Sequence, residues 1–240
     1  MKGRYNQMLF YALIEEWPGE SMLFFRELPG CFAKGITTEA AIQAAPAAIE
    51  QYLRWAKENG LTVIEGDASP ISIVVQERLG SKGSSCGPLF QADRVEIDDV
   101  EIDLALNVAA TARALIIEVV ANVPARLLEQ TLTPGEWSLL QHLRHILETE
   151  NWYVSQLQEY PRLEVPPATM SADDVAMKIF EDAMDNEITL RDLSSEQRTH
   201  VFVHDDEEWT AAKVFRRQTS HLQEHLLWMS AIEARLSAVL

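Results

Sequence analysis

The sequence predicts an α+β N-terminal domain, a small antiparallel sheet with one helix, followed by an all-α four-helix bundle. Three observations carry this. Short alternating or β-branched runs punctuated by turn residues are concentrated before about residue 80. The run GSKGSSCGP at 80–88 is too rich in Gly and Ser to bury apolar surface, so it reads as a linker or loop. Beyond it the strand signals nearly vanish, and four long segments carry helical periodicity. The predicted boundaries are 1–80 for the first domain, 81–96 for the linker and 97–240 for the bundle. With 240 residues and 47% hydrophobic composition, two modest cores are the natural division.

In chain order, 7–15 and 21–28 are apolar or alternating runs separated by the turn Trp17-Pro18-Gly19, and Pro29-Gly30 closes the second. This predicts a hairpin or three-strand meander. From Thr37 the composition shifts to Ala, Ile and Leu. Thr38 is the expected N-cap and Asn59-Gly60 the C-terminal stop of a long helix, with Pro46 inside it as a potential kink. The β-branched run 71–75 is the strand expected to return to the sheet. The bundle helices are expected at 98–122, 136–159, 171–192 and 209–238, with a longer connection at 193–208 in which 200–204 could be extended.

The formal charge of −17 is uneven: residues 1–96 carry 9 Lys/Arg against 12 Asp/Glu, and 97–240 carry 11 against 25. So acidic a bundle repels phosphate backbones, which argues against nucleic-acid binding through it. The N-terminus lacks the apolar core of a signal peptide, and no window offers about 18 uninterrupted apolar residues, so a cytoplasmic protein without a membrane partner is expected. Cys31 and Cys86 have no C-x-x-C spacing and predict reduced thiols, Cys31 as a small hydrophobe at a buried turn. Phe24, Phe25 and Phe32 read as core, and Arg216-Arg217 as a solvated pair. In an enzyme reading that pair could instead hold a carboxylate of a substrate.

All six histidines, His142, His145, His200, His204, His221 and His225, fall in the predicted bundle. In the last helix Val214, Gln218, His221, His225, Trp228 and Ile232 follow a 4-3-4-3-4 spacing, which turns His221 and His225 to the interior. An i, i+4 pair stacks two imidazoles on one face, close enough to share a cation. A third histidine on another helix would complete a three-ligand site with an open position. The second helix offers His142 and His145, on a polar stripe with Ser138, Thr149 and Trp152 beside the apolar seam Leu140, Leu143, Leu147, Val154 and Leu157. Periodicity leaves the two histidines tied. His200 and His204 are expected to be exposed on a connection.

Trp137-Ser138, His145, Glu148 and Trp152, with the late His221-Leu222-Gln223-Glu224-His225, resemble the DinB-like superfamily of four-helix bundles over about 98–238. The resemblance implies His145, His221 and His225 as metal ligands, and leaves His142, Glu148 and Glu224 beside the ligands, to orient them or, for the two glutamates, to act as general base. It further implies a metal-dependent thiol transferase, hydrolase or isomerase, with a low-molecular-weight thiol as cofactor in some relatives, and all-nitrogen ligation suits zinc, nickel or iron as the divalent metal. Leu28-Pro29-Gly30-Cys31, Ala33-Lys34-Gly35 and Thr37-Thr38-Glu39-Ala40 followed by 47–53 are similar to the HicB-like antitoxin fold over about 8–77. That resemblance implies a protein-binding module. The DNA-binding tail such antitoxins usually carry is replaced here by an acidic bundle. The expected partner is therefore a small-molecule substrate or another protein, with a homodimer as the expected assembly. The alternative is a non-enzymatic binding module related to stress or toxin–antitoxin systems, with a structural metal.

Overall fold

A computed structural model describes residues 8–64, 70–81, 87–162 and 165–238. Most of the Gly/Ser run, 82–86 with Cys86, lies outside them. Strands β1 (Met8–Trp17), β2 (Glu20–Phe25) and β3 (Phe32–Gly35) form the meander, helix α1 (Thr38–Glu58) follows, and β4 (Ile71–Gly80) returns. The sheet order is β3-β2-β1-β4. The two hairpin pairings are antiparallel, but β4 runs parallel to β1, so the sheet is mixed rather than antiparallel. The reason is the crossover: α1 carries the chain back across one face, and β4 enters in the direction of β1.

The cap of α1 is Thr37, one residue before the expected Thr38: its extended backbone lets its hydroxyl accept from the Ala40 amide at 3.2 Å. Thr38 instead donates to Glu16 Oε1 at 2.5 Å and meets Ser21 Oγ at 3.1 Å, tying the helix start to the sheet. Pro46 sits within the helix without ending it, and Asn59 with Gly60 at φ +72° terminates it. Ala41, Ala45, Ile49 and Tyr52 bury one helical stripe against Phe10, Ala12, Ile14, Leu23 and Phe25 of the sheet. The opposite face, through Leu13, Met22 and Phe24, packs on Phe90 and Ala92. Residues 13–15 of β1 therefore lose the simple alternation: both faces are covered, and Glu15 is fully buried.

The long helices α2 (Asp99–Asn122), α3 (Leu139–Ser155), α4 (Ala172–Arg191) and α6 (Ala211–Ser237) form the bundle, with the short α5 (Ser195–Thr199) and the hairpin β5 (Phe202–His204)/β6 (Glu207–Trp209) before α6. The extended piece expected near 200–204 is the first strand of that hairpin, turned at Asp205-Asp206 with φ of 50° and 65°. Capping boxes at Asp98/Glu101 and Ser138/Gln141 set the starts of α2 and α3. α3 is shorter at both ends than the periodicity suggests because Ser138 caps it at one end and the chain leaves the helix after Ser155 at the other. α2 and α3 each pack on α4 and α6, so the ring runs α2-α6-α3-α4 and the α2–α3 and α4–α6 connections cross its diagonals. α2 is long and apolar enough to cross a membrane, yet half of its most apolar window is buried within the protein, and Ala109, Ala112 and Ile116 belong to the bundle core.

Gly87 has φ +67°, and a Cβ there would lie 2.4 Å from Glu15 Oε1. Gly87→Ala is expected to cost more than about 2 kcal/mol in a denaturant titration, through left-handed backbone and displacement of a buried carboxylate.

Candidate metal centre

The adjacency of α3 and α6 brings the histidines together. His145, His221 and His225 each offer a ligand atom within 4.8 Å of the others. His145 Nε2 and His221 Nε2 are 3.0 Å apart, and the rings of His221 and His225 stand 4.3 Å apart, one turn along α6. His142 lies on the other side of His225, with the two Nδ1 atoms 2.9 Å apart, so it touches a member of the trio and is not one of the three. Thr149 Oγ1 is 3.3 Å from His145 Nδ1, and the Trp137 indole crosses His145 edge-on at 4.9 Å.

Burial, then mutual repulsion among imidazolium forms, keeps these rings neutral. His225 is pushed down to about 2 by burial and by His142 and His145, and His142 to about 4 by burial and His145. Burial lowers His145; burial, His225, His145 and Arg217 hold His221 well below its ordinary value. Neutral imidazoles keep a lone pair for a cation. The buried His221 Nδ1 has no hydrogen-bond partner among the described residues. Tetrahedral coordination at about 2.0–2.1 Å sets nitrogens roughly 3.3 Å apart, so the 3.0 Å separation is within a few tenths of an ångström of a zinc-like site.

The cluster opens into a cavity of about 620 Å³ walled by Trp137, Trp228, Ile232, Glu224 and, at its edge, Glu136 and Arg235. Glu136 accepts from Arg235 Nη1 at 3.0 Å. Glu224 lines the cavity and is ion-paired with Lys34 Nζ at 2.5 Å, a residue of β3. Glu148 is not among the lining residues. Trp228, placed by spacing on the interior seam, is 46% exposed: α6 turns its ring to the cavity rather than to the core. His200 is exposed, and His204 meets the Gln156 carbonyl at 3.2 Å, away from the cluster.

One turn from the histidines, Arg113 of α2 donates from Nε and Nη2 to Glu150 of α3, and Gln218 Nε2 of α6 donates to the same carboxylate at 3.1 Å. This buried network fixes α3 against α6. Its signals were an arginine within an apolar helix and a glutamine on an interior seam; nothing in the spacing marked Lys34. Arg216-Arg217 is not solvated. Both side chains are enclosed, on Glu15 and Asp93, because the sheet covers this part of α6. They are thereby engaged by the protein's own carboxylates and not free for one from a substrate.

YfiT from Bacillus subtilis, described as a probable metal-dependent hydrolase with an unusual four-helix bundle topology, superposes with a TM-score of 0.51 at 18% identity, over 63% of this chain and 95% of that one. That likeness is one of fold. No curated protein matches the chain. The family match does not extend to the N-terminal sheet, but residues 109–229 match the DinB superfamily and enclose the whole histidine cluster, and the chain belongs to that superfamily.

Proposed function

We propose that the chain is a divalent-metal-dependent enzyme of hydrolase or thiol-transferase type, with His145, His221 and His225 as ligands. The observation that supports it best is the opening of three neutral imidazoles into a cavity of about 620 Å³. A divalent zinc, nickel or iron ion supplies a Lewis acid that brings the pKa of a bound water or thiol toward neutrality. Trp137, Trp228 and Ile232 give the cavity an apolar wall against which an apolar substrate group would rest. Glu224, one turn from His221 and oriented by Lys34, is the carboxylate placed to hold a proton in transit. With the Nδ1 of His225 2.9 Å from the Nδ1 of His142, its Nε2 would be the nitrogen free to hold the cation, and the Nδ1 would then carry the ring proton toward His142. Of the two nucleophiles, water is favoured, because Arg216 and Arg217 are occupied and Arg235 is paired with Glu136.

Elemental analysis of untagged protein tests this directly. Stoichiometric metal in the wild type, lost in His145→Ala and in His221→Ala/His225→Ala, is expected; a wild type that neither carries nor takes up zinc, nickel or iron overturns it. His142→Ala, which removes no ligand, is expected to weaken metal binding about 10–100-fold in a chelator competition. A second reading, a HicB-like partner-binding region with a structural metal, is favoured by Leu9, Tyr11, Val74 and Val75, apolar and 41–46% exposed on adjacent strands β1 and β4. Metal-loaded protein inactive on ester, amide and thiol substrates would select it.

A further inference from the structure

A second cavity, of about 510 Å³, lies between α1 and β3 on one side and α2 and α6 on the other. It is separate from the histidine cavity: no residue lines both among those described. Its size is within the range of about 300–1,000 Å³ that small-molecule sites occupy, and such sites favour junctions between packed units. A junction that served only to dock two units would be filled to the density of a protein interior. Here α1 presents Ala44 and Ala48, one turn apart, and the space is left between them and Leu227 of α6.

The walls carry a second signal. Gln223 Nε2 and Trp55 Nε1 are buried N–H donors without a partner among the described residues, and both side chains line this cavity. Gln223 is 6% exposed. A buried donor left unpaired is unfavourable, and although both nitrogens are shielded by their own side chains, a small rotation of either ring or amide toward the cavity would let an acceptor there pair with it. The charges restrict which acceptor. The lining cation, Lys34, is already held by Glu224 at 2.5 Å and Glu20 at 3.3 Å, while Glu118 and Glu233 add negative charge to the wall. An anionic ligand would be repelled.

We propose that this cavity binds a neutral, largely apolar small molecule whose carbonyl-type oxygen accepts from Gln223 and Trp55. The proposal is independent of the histidine cluster. The test uses prodan, a neutral naphthyl ketone whose emission moves to the blue in apolar surroundings. Prodan is expected to titrate the full chain saturably with one blue-shifted component. Ala48→Phe and Leu227→Trp, which fill the space from opposite walls, are expected to weaken it at least tenfold. Gln223→Met, which keeps the volume and removes the donor, is expected to weaken it about three- to tenfold, and His145→Ala to leave it unchanged. Anilinonaphthalene sulfonate, an anion of similar size, is expected to bind at least tenfold less tightly. Leu227 is half-exposed, so its variant carries the test if Ala48→Phe does not fold. Absence of saturable prodan binding, or unchanged affinity in a folded cavity-filled variant, overturns the site; unchanged affinity in Gln223→Met, loss in His145→Ala, or equal affinity for the anion overturns its assigned chemistry.

Discussion

Arg216→Met is expected to destabilise the protein by about 3–5 kcal/mol, far more than the loss of an exposed ion pair. Arg216 of α6 donates to Glu15 Oε1 at 2.7 Å, to Asp93 Oδ2 at 2.8 Å and to the Pro88 carbonyl at 3.2 Å, and its guanidinium lies 4.9 Å from the Phe24 ring and 4.8 Å from that of Phe90. Arg217 donates to the other oxygen of Glu15 at 3.1 Å. Two arginines therefore balance two carboxylates where water is excluded. Burial alone would lower the Arg216 pKa, but Asp93 and Glu15 outweigh it and hold the guanidinium above its ordinary value. Removing Arg216 leaves Asp93 without its ion-pair partner and Glu15 with one arginine for two, so the penalty is that of uncompensated buried charge. The contrasting control is Glu187→Gln at the exposed i, i+4 pair with Arg191, expected to cost under about 0.5 kcal/mol. Urea unfolding of both variants decides the matter: equal small losses would show that the cluster contributes no net stability. Because the cluster joins β1 to α6 across 201 residues, Arg216→Met should also uncouple the sheet from the bundle, seen as a transition that broadens or splits.

Without metal, the protein is expected to lose about 4 kcal/mol between pH 8 and pH 5, from two histidines at about 2 kcal/mol each. His142 and His225 titrate in the folded protein at about 4 and about 2, both driven down first by burial. In the unfolded chain they titrate near 6.5. Below that pH the unfolded state binds more protons, so stability falls as pH falls through 6.5, and the loss continues to about 4 for His142 and about 2 for His225. His145 and His221 shift in the same direction and deepen it. Glu16 and Glu136, the carboxylates held below their ordinary range by Arg78 and Arg235, lose their contributions only at lower pH, while Glu27, raised by burial, takes up its proton in the folded state first and offsets part of the histidine loss as pH falls. Urea midpoints in chelator at pH 8, 6 and 5 test this, and a flat profile defeats it. Saturating zinc should raise the pH 8 and pH 6 midpoints by similar amounts and leave the difference between them, since the protons are taken up by the unfolded chain while a ligand that binds only the folded state adds a stabilisation set by the logarithm of its excess over Kd.

The order and type of the elements, α5 and β6 excepted, were legible because each rests on local rules: alternation and turn residues for the meander, Asn59-Gly60 for the end of α1, and the spacing of buried side chains for the bundle helices. The placement of His221 and His225 on one face followed from the same periodicity. Where two local signals competed, the cap fell one residue away, as at Thr37 and Thr38. The choice between His142 and His145 was beyond periodicity, since both lie on one stripe of α3; the angle at which α3 meets α6 puts His145 against His221 and leaves His142 behind His225.

By itself, the sequence determined an α+β region, a helical bundle and a concentration of histidines on its helices, since propensity, capping and amphipathic spacing act within a few residues. Only the tertiary structure decided that β4 is parallel to β1, that Arg216 and Arg217 are buried, that Lys34 reaches Glu224, and that cavities remain on two sides of α6. Those outcomes depend on which distant surfaces cover one another, and burial changes the energetics of a charge or an imidazole far more than its neighbours in the chain do.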